Sequence, residues 1–288
     1  MAHILNFGSI NIDHVYQVEH FVQPGETLSS RAYSKGLGGK GLNQTVALQR
    51  AGASVAHVGH IAADDGWLNK ELVALQLNMD CIQGVAEATG HAIIQVNQEG
   101  ENCILLYAGA NHQMTASEIN QYLDDAQVEW VLLQNETNAI EDIIRMAHAR
   151  GKKIIFNPAP CHAGLANLPL EYVHTLVVNE VEAMQLSAMS DVEQALEFLS
   201  KKCKNVVLTL GGDGVRYQGE SGELRVDAQK VEVVDTTAAG DTFIGYYLAS
   251  LSKGMTVKAS LERASQAAAL TVTRLGAVVA IPFAHEVD

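Results

Sequence analysis

From about residue 128 onward, short apolar or β-branched runs alternate with segments whose apolar residues recur every three or four positions. The first pattern predicts buried strands and the second predicts helices with one apolar face. The predicted strands are residues 128–134, 153–157, 176–179 and 205–210, and the predicted helices are 139–150 and 191–202. Strands that alternate with helices form βαβ units, so we expect an α/β protein whose mainly parallel sheet is covered on both faces.

Two stretches interrupt this rhythm. Residues 15–21 and 27–33 are short and partly polar, and residues 91–107 resemble a hairpin that turns near 97–100. No predicted helix flanks them, so they are expected to pair into a small sheet that projects as a lid, with strands from about 13–35 and 90–109. Ligands of open α/β sheets bind near the carboxyl ends of the strands, where such insertions would lie. The whole chain, 1–288, is expected to form one domain with this excursion.

Composition limits the functions that are compatible with this fold. The chain has 288 residues, 48% of them hydrophobic and 18% charged, with a net charge of −14. Such a field repels nucleic acids and anionic membranes, so neither is expected as a partner. A polyphosphate ligand would need local backbone N–H groups and a divalent cation. The first Lys or Arg is Arg31 and the four cysteines form no Cys-x-x-Cys pair, which favours a reducing cytoplasm over secretion.

The strongest local signal is the stretch 233–243, VVDTTAAGDTF. It is interpreted as a strand, a turn of small residues and the apolar helix 243–251. Small residues allow a sharp turn and a close approach to a ligand, and the free N–H groups of a first helical turn bind anions. Asp241 would lie at that point, as the base that receives a proton during phosphoryl transfer. The alternative is that Asp241 only caps the helix.

A second signal is the stretch 36–44, GLGGKGLNQ. It does not follow a buried strand, as a dinucleotide fingerprint would, and Lys40 precedes Gly41 rather than the Ser or Thr of a P-loop. It is interpreted as a glycine-rich entry to a helix from about 41 to 50. Lys40 and Asn43 could bind polyol hydroxyls, or Lys40 could simply be solvated at a helix start.

Three weaker signals follow predicted strands. The glycine-rich stretch 209–214 suits phosphate contact, although such glycines are common in turns. Residues 179–182 place an amide and two carboxylates at a helix start, where they could hold hydrated Mg²⁺ or only complement the helix dipole. Asn11 and Asp13 alternate with apolar residues and share one face, where they could bind a hydroxylated ligand or be exposed turn residues.

Together these residues resemble the ribokinase branch of the ribokinase-like (PfkB) carbohydrate kinases over nearly the whole chain. The matching segments are 8–13 (GSINID), 24–27, 38–44, 99–102, 108–111, 157–160 (NPAP), 179–182 (NEVE) and 235–241 (DTTAAGD). The resemblance implies a three-layer αβα sandwich with a small β-sheet lid. It also implies ATP-dependent phosphorylation of a sugar's primary hydroxyl, with Mg²⁺ and an activating monovalent cation, usually K⁺.

The resemblance further implies roles for individual residues. Asp241 matches the catalytic base, and Ala238, Ala239 and Gly240 match the anion hole for the γ-phosphate. The sugar-binding positions correspond to Asn11, Asp13, Gly39, Lys40, Asn43 and Glu136. The nucleotide-binding positions correspond to Asn179, Thr209, Gly211, Gly212, Gly214 and Ser265, the last standing where a His or Asn often meets adenine. Glu182 falls in the Mg²⁺ region, and the monovalent-cation positions correspond to Asp235, Thr237, Thr271, Arg274 and Gly276.

Two alternatives stay open at this stage. The chain could be a kinase of the same fold for deoxyribose, fructose, a sugar acid or a nucleoside, or a non-catalytic sugar-binding protein. Asn11 and Asp13 favour a ligand with vicinal hydroxyls, since a deoxy analogue would leave a buried polar group unpaired. The unpaired edges of the lid favour a homodimer through lid-to-lid pairing.

Overall fold

The computed structural model describes residues 4–288, and its strands form two sheets. In chain order the strands are β1 (Ile4–Phe7), β2 (Asn11–Gln17), β3 (Ala32–Gly38), β4 (Val55–Ala62), β5 (Ile82–Val85), β6 (Gly90–Val96), β7 (Asn102–Tyr107), β8 (Trp130–Gln134), β9 (Lys153–Asn157), β10 (Thr175–Asn179), β11 (Asn205–Thr209), β12 (Val215–Gly219) and β13 (Gly222–Val226). The large sheet has the order β13-β12-β11-β10-β9-β8-β1-β4-β5, and the small sheet has the order β3-β2-β6-β7.

Helices cover both faces of the large sheet. They are α1 (Lys40–Arg50), α2 (Gly66–Ala74), α3 (Ala116–Leu123), α4 (Ile140–Ala149), α5 (Glu180–Ser187), α6 (Val192–Ser200), α7 (Ala239–Ser252), α8 (Val257–Thr271) and α9 (Ala284–Val287). Strands β1, β4, β5 and β8 to β11 run parallel, and β12 and β13 form an antiparallel hairpin at one edge. The predicted α/β class with helices on both faces is confirmed.

Side chains that alternate along the central strands divide the core into two layers. In β8, Trp130 and Leu132 pack with α1, α7 and α8, whereas Val131 and Leu133 pack with α3 to α6. This alternation follows from the period of two in a strand. The two layers hold the parallel strands rigidly, so their carboxyl ends form a fixed platform.

The lid is present as a separate sheet, but one of its strands is displaced from the prediction. The hairpin of β6 and β7 matches the predicted 91–107, and β2 begins at Asn11 rather than at residue 15. The strand predicted at 27–33 is instead β3, paired so that Asn11 lies opposite Gly38. Residues 18–31 form a turn-rich connection with Gly25 at φ 81°. Strand β3 is polar and contains glycines, so its sequence gives only a weak strand signal. It is a strand because it pairs with β2.

The segment before α7 also differs from the prediction. Val233 and Val234 are exposed and lie in irregular chain rather than in a strand. The N–H groups of Val234 and Asp235 both donate to Val272 O, so a loop beyond α8 takes the place of a strand partner. Helix α7 begins at Ala239, earlier than the predicted 243. Within residues 4–288, none of the helices combines the length and the apolar character required to cross a bilayer.

Candidate functional site

Asp241 lies in the first turn of α7, where the chain enters the helix from this irregular loop. Ala238 precedes the helix in a left-handed conformation with φ 60°. The Asp241 carboxylate is buried, with 7% of the residue exposed. Two side-chain amides of α1 donate to it, Asn43 Nδ2 to Oδ2 and Gln44 Nε2 to Oδ1, each over 2.9 Å. A neighbouring helix thus holds the carboxylate in one orientation.

The same turn leaves backbone N–H groups for an anion. Ala238 makes no side-chain cap, and the N–H of Ala239 donates to Thr236 O over 3.2 Å. The N–H groups of Gly240 and Asp241 have no helical partner at this position, and a Cβ built on Gly240 would meet nothing within 4 Å. The anion hole at residues 238–240 stays a prediction, and within it the N–H of Ala239 already donates inside the chain.

Asn11 lies at the start of β2, buried beside the glycine-rich turn. Its Oδ1 accepts a hydrogen bond of 2.7 Å from Asn111 Nδ2, and Asn111 Oδ1 accepts from Ile10 N. Gly39, at φ 93°, packs so closely that a Cβ there would lie 3.0 Å from Asn11 N. Only glycine fits this conformation and this approach without strain. Asn11 and Gly39 are thus brought together, as the sequence predicted.

Asn43 presents an unused acceptor near Asp241. Its Nδ2 is bonded to Asp241, while its buried Oδ1 has no partner within residues 4–288. The Oγ1 of Thr137, next to the predicted sugar ligand Glu136, is likewise buried and unpaired in that range. Buried polar atoms are nearly always hydrogen-bonded. Unpaired atoms on these two elements are therefore typical of a site that a hydroxylated ligand completes.

Glu136 follows β8 and is fixed by the loop before α1. Its Oε2 accepts from Ser9 Oγ and from Lys40 N, the latter over 2.8 Å. Burial raises the pKa of Glu136, and hydrogen bonds from Ser9 and Lys40 oppose that rise. Since both bonds use one oxygen, Oε1 can face a ligand.

Asp13 occupies the space above Gly38 on the paired strand. A Cβ at Gly38 would come within 2.3 Å of both carboxylate oxygens of Asp13, so the missing side chain makes room for the acid. Burial, together with the nearby charge of Glu136, raises the pKa of Asp13 to about 6. The surroundings of Asp13 oppose its ionisation, so a ligand that donates hydrogen bonds to this carboxylate would stabilise its ionised form.

Lys40 links the two halves of the site. The pKa of the Lys40 ammonium group lies above its ordinary value, mainly because of attraction to the Asp241 carboxylate. Burial opposes this rise, and the charges of Glu136 and Glu182 add to it. The ammonium group is therefore charged at neutral pH and faces carboxylates from three separate elements. A single cation among three acids can also attract the negative charge of a phosphoryl group.

A cavity of about 230 Å³ joins Lys40 and Asp241 to the predicted nucleotide region. It is also lined by Asn179, Glu182, Thr209, Ala238 and Gly240, among others. Asn179 and Glu182 form a capping box, in which Asn179 Oδ1 accepts from Glu182 N and Glu182 Oε2 accepts from Asn179 N. Burial raises the pKa of Glu182. Glu182 thus caps α5 and also faces the cavity, so a role in holding Mg²⁺ stays a prediction.

The other predicted nucleotide residues lie outside this cavity. Gly211 and Gly212 form an open turn after β11, where a Cβ would meet nothing within 4 Å. Gly214 is required by packing, because a Cβ there would lie 2.1 Å from Val226 O. Ser265 is half-buried on α8. Only Thr209 and Asn179 of this group line the same cavity as Asp241.

Asp235 ties two loops together beside the start of α7. Its Oδ1 accepts from the N and Oγ1 of Thr237, and its Oδ2 accepts from Gly276 N over 2.9 Å. Burial raises the pKa of Asp235, but these hydrogen bonds outweigh it and hold the pKa below its usual value. The side chains of two other predicted cation residues point to protein groups, Thr271 Oγ1 to Thr242 Oγ1 and Arg274 to Glu286. Arg274 has no side-chain oxygen, so it could serve a cation only through its backbone oxygen.

Three residues at the site were not singled out as functional from the sequence. Ser9 holds Glu136 and accepts from Gly41 N, Gln44 holds Asp241, and Asn111 holds Asn11. All three are at most 2% exposed. The local pattern gave no signal at Gln44, which stands between the polar residues Asn43 and Thr45 in α1. Ser9, Gln44 and Asn111 are all polar residues that only the fold shows to be buried. Such residues are rarely buried without a partner.

Comparisons with known proteins agree with this geometry. The family model described as "pfkB family carbohydrate kinase" matches residues 1–284. A ribokinase from Staphylococcus aureus (strain COL) is 36% identical over 299 residues, covering 99% of this chain and 98% of the relative. A ribokinase from Schizosaccharomyces pombe is also 36% identical, over 311 residues, covering 100% of this chain and 97% of the relative.

Solved structures show the same architecture. A ribokinase from Thermotoga maritima superposes with a TM-score of 0.89 at 33% identity, covering 100% of this chain and 98% of that one. An Arabidopsis thaliana ribokinase complexed with ribose and ATP has a TM-score of 0.88 at 26% identity, with 100% and 98% coverage. The predicted ribokinase-like fold is confirmed, and the chain belongs to the pfkB family of carbohydrate kinases.

Proposed function

We propose that this protein is a ribokinase, which transfers the γ-phosphoryl group of ATP to the 5-hydroxyl of D-ribose. The observation that carries the proposal is the position of Asp241. Its buried carboxylate lies beside free N–H groups at the start of α7, between polar side chains of the lid and α1 and the cavity lined by Asn179 and Thr209. Relatives at 36% identity named ribokinase support the substrate.

Each part of the site has a distinct task in this reaction. Asn11, Asp13, Gly39, Lys40, Asn43 and Glu136 bind and orient the sugar hydroxyls. Asp241 accepts the proton of the attacking hydroxyl, and the N–H groups of Gly240 and Asp241, with Lys40, stabilise charge on the transferring group. Asn179, Thr209, Gly211, Gly212, Gly214 and Ser265 contribute to the nucleotide side. Closure of the lid excludes water, which would otherwise accept the phosphoryl group.

The residues present fit a magnesium ion that is bound mainly through the nucleotide. Glu182 supplies a carboxylate to the cavity, where burial and Asp241 both disfavour its negative charge. Within residues 4–288 no cluster of three or more His, Cys, Asp or Glu side chains could hold a metal ion. Mg²⁺ commonly uses one or two carboxylates, water and substrate phosphates, and it supplies charge neutralisation at the phosphates. Glu182, with Asn179, would hold it.

A monovalent cation, K⁺ by the family resemblance, is proposed beside the anion hole. Asp235 already bonds Thr237 and Gly276, so its contribution is to hold both loops in place. Backbone oxygens of Asp235, Thr237, Thr271, Arg274 and Gly276 would then face the ion. The ion would fix the loop that carries Ala238 and thereby the N–H groups of the anion hole.

We further propose that the whole chain acts as one kinase unit in the cytoplasm. We also propose that two copies form a homodimer through the lid. Strand β7 is exposed along its length, and Ile104, Leu105 and Leu106 are 50%, 68% and 51% exposed. An apolar, unpaired edge of this kind favours pairing with another strand. A second copy of the lid would cover it.

The test is a panel assay of ADP release from ATP with Mg²⁺, using ribose, 2-deoxyribose, fructose and nucleosides, each with and without K⁺. We expect ribose to give the highest kcat/KM and K⁺ to raise it. A preference for 2-deoxyribose or a nucleoside would overturn the assignment of ribose. Sugar binding without ADP release would support the non-catalytic alternative.

A further inference from the structure

A chain of buried polar side chains runs from Asp241 away from the site. Gln44 Nε2 donates to Asp241 Oδ1, and Gln134 Nε2 donates to Gln44 Oε1 over 2.7 Å and to Asn6 Oδ1 over 2.9 Å. Asn6 Nδ2 then donates to Thr45 Oγ1 over 2.8 Å. These side chains, on β1, α1 and β8, have at most 2% of their surface exposed, apart from Asp241 itself.

Acceptor-only groups fix the direction of every bond in this chain. The Asp241 carboxylate, when ionised, can only accept, so Gln44 must turn its NH₂ group toward it and its oxygen toward Gln134. Asn6 Nδ2 also donates to the carbonyl of Gly41, which likewise can only accept. Gln134 therefore has to place its NH₂ group between two oxygens.

The far end of the chain is fixed in the same way. His57 Nε2 lies 3.0 Å from Gly8 O, which can only accept, so Nε2 carries the hydrogen. Burial lowers the pKa of His57 to about 4, so the neutral ring accepts from Thr45 Oγ1 through Nδ1, over 2.8 Å. The Thr45 hydroxyl is then free to accept from Asn6.

Gln134 lies at the centre of this arrangement, and its buried side-chain oxygen lowers the stability of the fold. Both hydrogens of its NH₂ group are used, but its Oε1 is buried with no partner within residues 4–288. The oxygen lies against Gly8, where an added Cβ would be 2.9 Å from it. Rotating the amide would place Oε1 against two other oxygens. A buried unpaired acceptor destabilises a fold, so such an atom calls for an explanation beyond stability.

Resting on the proposed function, we infer that Gln134 is a positioning residue for the phosphoryl transfer. It acts through Gln44, whose oxygen it holds so that the Gln44 NH₂ group faces and orients the Asp241 carboxylate. Without this donor, Gln44 Oε1 would be buried with no partner, the Gln44 side chain could shift, and Asp241 would no longer be held in a fixed position by one of its two amide partners. Small misplacements of a reacting group cost large factors in rate.

A double-mutant cycle tests this inference with Gln134→Met, Gln44→Met and the double variant. We expect Gln134→Met to lower kcat about 10- to 30-fold and to leave the KM values for ribose and ATP within about threefold. Because Gln134 acts through Gln44, the double variant should lose no more kcat than Gln44→Met alone. Gln49→Met is the control, since Gln49 lies on the same helix and donates to Leu75 O and Gln76 O instead.

Additive losses in kcat, or a Gln134→Met enzyme equal to the control, would overturn the inference. Should Gln134→Met fail to fold, the same cycle with Gln134→Glu, which keeps the shape but donates at most one hydrogen, decides between these results. A crystal structure of the Gln134 variant adds a readout that needs no activity. It should show the Gln44 side chain displaced from its contact with Asp241 Oδ1, and an unchanged contact would contradict the inference. A wild-type enzyme that phosphorylates no sugar would instead refute the proposed function.

Discussion

The carboxylate of Asp13 lies where burial and a neighbouring acid both oppose its ionisation. Its pKa is raised from the ordinary value of 3.8 to about 6 in the folded protein. Below pH 4 it is protonated in both states and has no effect on the free energy of unfolding. Between pH 4 and 6 only the folded state holds the proton, so stability falls as the pH rises and stays low above pH 6.

We therefore expect Asp13→Asn to raise the free energy of unfolding at pH 7 by about 2 kcal/mol and to leave it nearly unchanged at pH 3.5. The same change should raise the KM for ribose, because the amide replaces an acceptor of sugar hydroxyls. In the wild type that KM should rise as the pH falls through about 6. Denaturant unfolding and initial rates across this pH range measure both effects. Asp64→Asn, at an exposed position, is the control, and equal stabilisation in both variants would refute the account of Asp13.

At this scale the sequence identified groups that would face a ligand but missed those that hold them. Asp241, Lys40 and Glu182 were predicted, and the structure places them at one cavity. Ser9, Gln44 and Asn111 act on those groups from elements far away in sequence. Their partners depend on how helices and strands pack, which a local pattern does not encode. The use of the Ala239 N–H by Thr236 was hidden for the same reason.

Among the elements, β3 shows how a strand with a weak sequence signal can shape the site. Its two glycines differ in their surroundings, since a Cβ at Gly36 would meet nothing within 4 Å, whereas a Cβ at Gly38 would come within 2.3 Å of the Asp13 carboxylate. Propensity predicted the strand several residues too early. Pairing with β2 sets the register of β3. This register places Gly38, which has no side chain, beside the Asp13 carboxylate.

We expect Gly38→Ala to raise the KM for ribose at least about tenfold, because the methyl group displaces a carboxylate that binds the sugar. Gly36→Ala, on the same strand, should leave that KM within about twofold, as expected for a surface change. The KM for ATP should change little in either variant. Steady-state kinetics with each substrate varied in turn separates these results. Similar effects of both substitutions would contradict the close approach of β3 to Asp13.

For the molecule as a whole, the alternation of strands and helices was sufficient to predict the layered fold. Buried parallel strands are continuous apolar runs, so β8 to β11 were found close to their observed ends. The lid was predicted from the absence of flanking helices, and its pairing of two distant stretches is confirmed. The sequence did not predict the irregular chain before α7, because Val233 and Val234 have apolar side chains typical of a strand but no neighbouring strand to pair with.

The proposed lid-to-lid dimer gives a prediction at this scale. We expect Leu105→Glu to shift the protein toward a monomer, because it places a charge on the apolar edge of the lid at a residue that is 68% exposed. Val73→Glu, on α2 and 63% exposed, should leave the assembly unchanged. Sedimentation velocity at micromolar concentration measures the difference. A wild type that sediments as a monomer would refute the dimer.

The central claim is that Asp241 takes the proton of the sugar hydroxyl, and the most direct measurement is the kcat of Asp241→Asn. We expect a loss of at least about 10³-fold, with ribose affinity by calorimetry within a few-fold of the wild type. Asp142→Asn is the matched control, since Asp142 is an exposed aspartate in the first turn of α4, and its kcat should be unchanged. An Asp241→Asn enzyme with near-normal kcat would contradict the account.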